Sequence, residues 1–298
     1  MHSPFTNQAF FYTMPTPRQI LAALLPQLRV AAAYARQLQP QIRTLPAKEA
    51  GSNWFAAALT DADLAVQNLV EVTLLATFPQ LRFYGEERDR SYNTSYFRAP
   101  DLGPAGDPLV TLDPIDGTQF YIDGHANYQI VLSVLNWDDC EAALAVSPAR
   151  NCYYYALRGE SAFWGSLDAD LASCHPLPCD RPEPAIFLGW EMGKLAPALQ
   201  AKYRLIDVAT SYSSQVQIPN FNGILSGELA GAVLPAANFI DGVALTFLAR
   251  EAGCTATLLD GSPLPPLHAH PNFQLPGVLV AASASVHRDL RAAVQQAG

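Results

Sequence analysis

Between Tyr128 and Gly165 four apolar segments follow one another closely: YQIVLSVLN, EAALAVSP, CYYYALRG and SAFWG. Each has strand composition, and only a short turn separates each from the next. Connections this short join antiparallel neighbours, because a parallel crossover needs a dozen or more residues. The middle of the chain is therefore committed to an antiparallel sheet, whatever surrounds it.

The flanks read differently. Thr16 is a candidate N-cap with Pro17 at the first helical position, and Leu21, Leu24, Leu28 and Ala32 recur at helical spacing through residues 16–38. Pro26 predicts a kink or a later start. Residues 40–58 read as a loop, and a second helix is expected over 61–77, capped by Thr60 or Asp61 and ended by Pro79. LRFYG then forms a short strand running into Glu86-Glu87, and the polar, Pro/Gly-containing stretch 88–107 is a surface excursion. LVTLD (109–113) is a strand expected to stop at Pro114. After the sheet, AIFLGW and YRLIDVA are strands and 194–203 a helix, while 212–230 reads as a helix of small residues. GVALTFLAREAG is a helix stopped by Gly253, VLVAAS (278–283) a strand and 285–296 a final helix. Helices before, strands within and an alternation after predict an α/β layered sandwich and not a dinucleotide-binding wrap. No GxGxxG, GxxxxGK[ST], GxSxG or HExxH occurs, and there are no repeats.

Composition narrows the function. Half of the 298 residues are hydrophobic and 15% charged, enough apolar surface to offset ordering entropy. Lys plus Arg number 18 against 27 Asp plus Glu, a net charge of −9. A nucleic-acid polymer is therefore not the expected partner, because phosphate contact needs clustered cations. No apolar run is long enough to span a membrane, and no secretory signal is seen. The five cysteines are odd in number and lack a CxxC pair, so they read as reduced thiols of a cytoplasmic protein.

The chemistry concentrates in Leu112-Asp113-Pro114-Ile115-Asp116-Gly117-Thr118. A strand ending at Asp113 points that carboxylate off the sheet edge, and the Pro114 turn lets Asp116 swing back beside it. The Ile115 carbonyl can face the same point. These are hard oxygen ligands, suited to Mg²⁺. Gly117 lets the backbone approach closely, and free N–H groups near Thr118 would hold a phosphate. The plainer alternative is that Asp116-Gly117 is only a turn and Asp113 only a cap. Likewise Glu86-Glu87 has a solvated-loop reading, Thr60-Asp61-Ala62-Asp63 a capping reading, and Asp241 a helix-dipole reading.

In their order and spacing, Thr60 to Asp63, Gly85-Glu86-Glu87, Asp113 to Thr118, and Asp241 followed by Glu251-Ala252-Gly253 resemble the inositol monophosphatase-like family over about residues 16–296. The resemblance implies a layered α/β fold, often a homodimer, and a cytoplasmic, lithium-sensitive phosphatase carrying two or three Mg²⁺. It implies that Glu86, Asp113 and the Ile115 carbonyl hold one ion, and that Asp113, Asp116 and Asp241 hold a second. Asp63 and Thr118 would polarise the attacking water, assisted by the ion at Glu86, while the Gly117 and Thr118 amides bind phosphate. The expected organisation is a single catalytic domain, 1–298, with an α+β half (1–165) carrying the metal motifs and an α/β half (166–298) carrying the late Asp.

Departures bear on the substrate. The family's Trp before the late Asp is Ile240 here, and an acid of inositol-specific members falls on Leu234. Gln119-Phe120-Tyr121 replaces the usual Thr-Asn-Phe. The LDPIDGT form resembles the branch acting on 3′-phosphoadenosine 5′-phosphate. The expected partner is a small phosphate ester: a sugar phosphate, inositol phosphate or nucleotide 3′-phosphate. The competing readings are a catalytically silent metal-binding or scaffold relative of the same fold and, more remotely, a Ca²⁺-dependent surface-interaction protein. Lys48 is a further candidate for the site. His125, His268, His270, the Tyr153–Tyr155 run and Glu251 are assigned ordinary structural roles, Glu251 in the last turn of its own helix.

Overall fold

The structure, a computed structural model, describes residues 14–42, 60–87, 102, 108–180, 182–270 and 272–298. The expected 40–58 loop, with Lys48, and the 88–107 excursion lie almost wholly outside these residues. Two helices come first, α1 (Pro17–Leu38) and α2 (Asp61–Thr77). Thr16 caps α1 in a reciprocal box with Gln19. Pro26 sits inside α1 without ending it. One face of α1, from Ile20 to Ala35, is buried against the first sheet, and that burial holds the helix across its proline.

The first sheet has seven strands in chain order: β1 (Arg82–Gly85), β2 (Leu109–Asp116), β3 (Gln129–Leu135), β4 (Cys140–Ser147), β5 (Cys152–Leu157), β6 (Ala162–Ser166) and β7 (His175–Pro176). The four strands expected from the apolar segments form β3 to β6, antiparallel as predicted. Only β1 and β2 run parallel. The sheet is covered on both sides. Ile130, Leu132 and Val134 pack toward α1 and α2, while Val131 and Leu135 pack the other way, following the two-residue period of a strand.

The second sheet has the order β11-β12-β10-β8-β9, built from β8 (Ala185–Leu188), β9 (Arg204–Asp207), β10 (Gly231–Asn238), β11 (Thr255–Leu258) and β12 (Gln274–Ala281). Helix α6 (Gly242–Glu251) packs between the sheets, its residues from Val243 to Ala249 buried in the shared core. The short α4 (Ala196–Leu199) and the terminal α7 (Ala284–Ala297) cover the far face. Single-turn helices α3 (Thr118–Ile122) and α5 (Val208–Ser211) follow β2 and β9. The order of layers is thus helix, sheet, helix, sheet, helix, the α/β sandwich expected.

Three sequence expectations are corrected, and the centre of the second sheet went unread. Strand β2 does not stop at Pro114 but runs to Asp116, with its register against β3 shifting between Asp113 and Asp116. Pro114 lacks a donor, and this break in the ladder accommodates that lack. No helix forms over 212–230. The segment holds only an isolated bridge between Ser213 and Val216 and a 3₁₀ turn at Phe221–Ile224, because Pro219 removes a donor, Asn220 turns its side chain onto the Phe221 N–H, and Gly227 adopts φ +78°. The helix expected over 194–203 reduces to a 3₁₀ turn at Met192–Leu195 and α4. Strand β10, the centre of the second sheet, was not foreseen, since its Leu234-Pro235 interrupts the pattern.

Candidate metal and phosphate site

Strand β1 ends at Gly85, opposite Leu112 of β2, so Glu86 and Asp113 follow at neighbouring positions. Their side chains share a hydrogen bond. In a regular strand, residues three apart face opposite sides. The register shift between Asp113 and Asp116 removes that constraint. Asp113 folds over its own turn, accepting the Ile115 N–H at 3.0 Å.

Asp116 is fixed by two amides on one oxygen. Gln129 Nε2 donates to Oδ2 at 2.7 Å and Asn220 Nδ2 donates to the same atom at 3.2 Å. Oδ1 is thereby oriented separately from the clamp. Asp241 arrives from the second sheet as the N-cap of α6, accepting the Gly242 N–H. One carboxylate oxygen from each of Asp113, Asp116 and Asp241 lies within 4.8 Å of the others.

Like charges this close in a buried place oppose ionisation. Burial pushes Asp113 well above the usual carboxylate range, and the charges of Glu86, Asp116 and Asp241 push it further. Burial raises Asp116 too, against the lowering effect of the Gln129 amide. Asp241 is pushed up to about 7, by burial first and then by Asp116 and Glu86. Such a site is unfavourable to fill with protein charge alone. Carboxylates and a carbonyl, all hard oxygen donors, fit a divalent cation such as Mg²⁺.

Beyond Asp116, Gly117 takes a left-handed conformation (φ +83°) and caps α3. A Cβ there would lie 2.9 Å from Phe120 Cδ2, so glycine is required on two counts. The Thr118 hydroxyl contacts two acceptors, the Ile115 carbonyl at 2.9 Å and Asp63 Oδ1 at 3.3 Å. Asp63 is fully buried, and its other oxygen accepts from Thr60 N at 2.8 Å and Thr60 Oγ1 at 2.5 Å. It is at once the third-position partner of the Thr60 N-cap in the α2 capping box and the partner of Thr118, so the two readings of this acid coexist.

These groups meet at a cavity of about 390 Å³. Glu86, Asp113, Ile115, Asp116, Gly117, Thr118 and Asp241 line it, with Asp63 behind Thr118. The opposite wall is Phe187, Trp190, Phe221, Leu234 and Pro235, with the amides Asn238 and Gln274. Gln129 and Asn220 escaped the sequence reading. A lone amide opening the otherwise apolar QIVLSVL was the available signal for Gln129. Asn220 lies in an irregular segment and gave none. The remaining candidates fall elsewhere. His125 packs with Phe120 and Tyr212, and His268 stacks on Trp137 and pairs with Asp138. Tyr153 and Tyr155 lie in β5 and donate to the Ala169 and Leu171 carbonyls. Glu251 does not serve its own helix: it accepts the Gly159 N–H at 3.0 Å, across to the β5–β6 turn.

The fold is an α/β layered sandwich that brings three carboxylates together beside the Gly117–Thr118 turn. The inositol monophosphatase family matches residues 19–298, and the chain belongs to that family. A fructose-1,6-bisphosphatase/inositol-1-monophosphatase of Thermotoga maritima is 26% identical over 126 residues, 40% of this chain and 44% of that protein. The solved Thermotoga maritima IMPase superposes with a TM-score of 0.68 at 17% identity, covering 92% of this chain and 95% of the other. An IMPase/NADP phosphatase complexed with Mg²⁺ and phosphate gives 0.64 at 18% identity, covering 92% and 94%. The curated relatives are matched over less than half their length, down to 20% for a SuhB protein of Neisseria meningitidis, 39% identical over 51 residues.

Proposed function

We propose that the chain is a Mg²⁺-dependent phosphomonoesterase that hydrolyses a small phosphate ester by attack of water. The observation that carries this reading is the convergence of Asp113, Asp116 and Asp241 within 4.8 Å, next to the Gly117–Thr118 turn and open to a cavity. Glu86, Asp113 and the Ile115 carbonyl would hold one ion, and Asp113, Asp116 and Asp241 another. When bound, Mg²⁺ supplies the positive charge that phosphoryl transfer needs and acidifies water. The chain's own groups do the rest. The Gly117 and Thr118 amides orient the phosphate oxygens. Thr118 lines the cavity, and its hydroxyl, which donates to the Ile115 carbonyl and to Asp63, would accept a hydrogen bond from the attacking water, with Thr60 keeping the Asp63 carboxylate in place. Family membership and the fold shared with an Mg²⁺–phosphate complex support the proposal.

The substrate class is a small phosphate ester, a sugar phosphate, inositol phosphate or nucleotide 3′-phosphate, and the apolar Leu234 in the wall offers no acceptor for a polyol hydroxyl. We further propose one catalytic domain with halves 1–165 and 166–298, lithium inhibition, a homodimer and a cytoplasmic setting. Among the described residues no helix is long and apolar enough to cross a membrane.

A phosphate-release assay over inositol, fructose-bisphosphate, histidinol and adenosine-bisphosphate esters tests the reading. Release requires Mg²⁺, stops in EDTA and is abolished by Asp113→Asn with the fold retained. Activity that persists in EDTA overturns it. Calorimetry without Mg²⁺ or Mn²⁺ uptake would leave the silent scaffold relative instead.

A further inference from the structure

Far from the acidic cavity, at the opposite end of α6, two thiols meet. Cys254 follows Gly253 just beyond the helix, and its Sγ lies 2.7 Å from Cys179 Sγ. Cys179 sits on the segment leaving β7, held there by its N–H on the Ala252 carbonyl at 3.1 Å. The other thiols have different surroundings: Cys140 donates to the Ala142 carbonyl and Cys174 to Tyr153 Oη. The pair is also asymmetric. Cys254 is buried, 5% exposed, whereas Cys179 is half-buried and lines a second cavity of about 200 Å³ with Pro178, Asp180, Ile224 and Ser226. One sulfur can be reached from that cavity; the other lies behind it.

We propose that Cys179 and Cys254 form an oxidisable dithiol, a covalent modification site that accepts a hydroperoxide at Cys179 and closes to a disulfide with Cys254. The Cys179 thiolate attacks the peroxide, forming an S–O bond as the O–O bond breaks. The leaving alkoxide or hydroxide takes up a proton. The Cys254 sulfur then displaces the oxygen of the sulfenic acid as water, forming the S–S bond. Two thiols lose two electrons and the peroxide gains them. The hydrogen bond from Cys254 also lowers the Cys179 thiol from its ordinary range, which favours the reacting form at the half-buried sulfur beside the cavity. Cavity and contact thus give the two sulfurs different duties: Cys179 is attacked, Cys254 resolves. The bond would tie the segment after β7 to the end of α6 across 75 residues of chain, constraining the unfolded state.

The test uses the full reduced chain, treated with hydrogen peroxide in slight excess and then alkylated under denaturing conditions. Free thiols fall from five to three, and peptide mapping recovers the fragments around Cys179 and Cys254 joined. The oxidised protein melts higher than the reduced one. In Cys254→Ser the reaction halts at a Cys179 sulfenic acid that dimedone captures. In Cys179→Ser no joined fragment forms and Cys254 stays alkylatable. The proposal is overturned if both cysteines remain alkylatable in the wild type while others oxidise, or if Cys254 pairs with a different partner. Phosphate release plays no part in this readout, so the outcome stands apart from the proposed activity.

Discussion

The two sheets contribute unequally to the cleft. The first brings Glu86, Asp113, Ile115 and Asp116 from adjoining strand ends, and Thr118 from the turn that follows. Its strands β3 to β5 are long, and every residue of β3 is buried. The second sheet sends one carboxylate, Asp241, and otherwise supplies wall: Phe187, Trp190, Leu234 and Pro235. Its flanking strands β8, β9 and β11 have four residues each. Four of the candidate ligand groups thus come from two neighbouring strands of one sheet, while the wall comes from β8, from the turn after it and from β10; under the proposed function the first set needs the tighter positioning. Substitutions on the first side should therefore cost turnover, and those on the second should redirect it.

The sharpest break comes from Asp113→Asn. Turnover should fall by about 10³-fold or more, because several kcal/mol of metal-borne stabilisation are lost. In EDTA the same variant should melt slightly above the wild type, since one of several crowded carboxylates has been neutralised. A lower melting point there would mean that Asp113 stabilises the fold independently of any ion. Next, Gln129→Leu or Asn220→Leu frees Asp116 Oδ2 from one amide. Mg²⁺ affinity by calorimetry should weaken about 10- to 100-fold with the melting point nearly kept. Gly117→Ala puts a methyl at φ +83° against Phe120 and should destabilise the chain by about 1–2 kcal/mol in urea unfolding, with the apparent KM for phosphate esters raised. The smallest effect is expected on the opposite wall. Leu234→Glu should shift the kcat/KM ratio about tenfold toward polyol phosphates, with little change in metal affinity. If it lowers turnover on every ester equally, the division between the two sides fails.

The same contrast explains what could be read without coordinates. The first sheet was legible because β3 to β6 are contiguous, locally connected and apolar, so pattern and turn spacing agree. The acids were legible because Asp-Pro-Ile-Asp-Gly-Thr concentrates its chemistry in consecutive residues. The second sheet joins strands far apart in sequence: β10 pairs with β8 on one side and with β12 on the other. Nothing near Leu234-Pro235 announces a central strand. The continuation of β2 past Pro114 was hidden for the opposite reason, because a local rule about proline was overruled by pairing with β3. Asn220 belongs to neither pattern, and only its position beside Asp116 gives it meaning.

Helix α6 works as a surveyor's rod between two fixed stations. Arg250 pairs with Asp139 at 2.8 Å and Glu251 holds the Gly159 amide at 3.0 Å, so its far end is pinned to the turns of the first sheet. Its near end carries Asp241 to the acids of that same sheet. At about 1.5 Å and 100° per residue, the ten residues from Gly242 to Glu251 set both the reach and the bearing of that carboxylate. One residue added to α6, with every side chain of the site intact, would swing Asp241 by more than a quarter turn away from its companions.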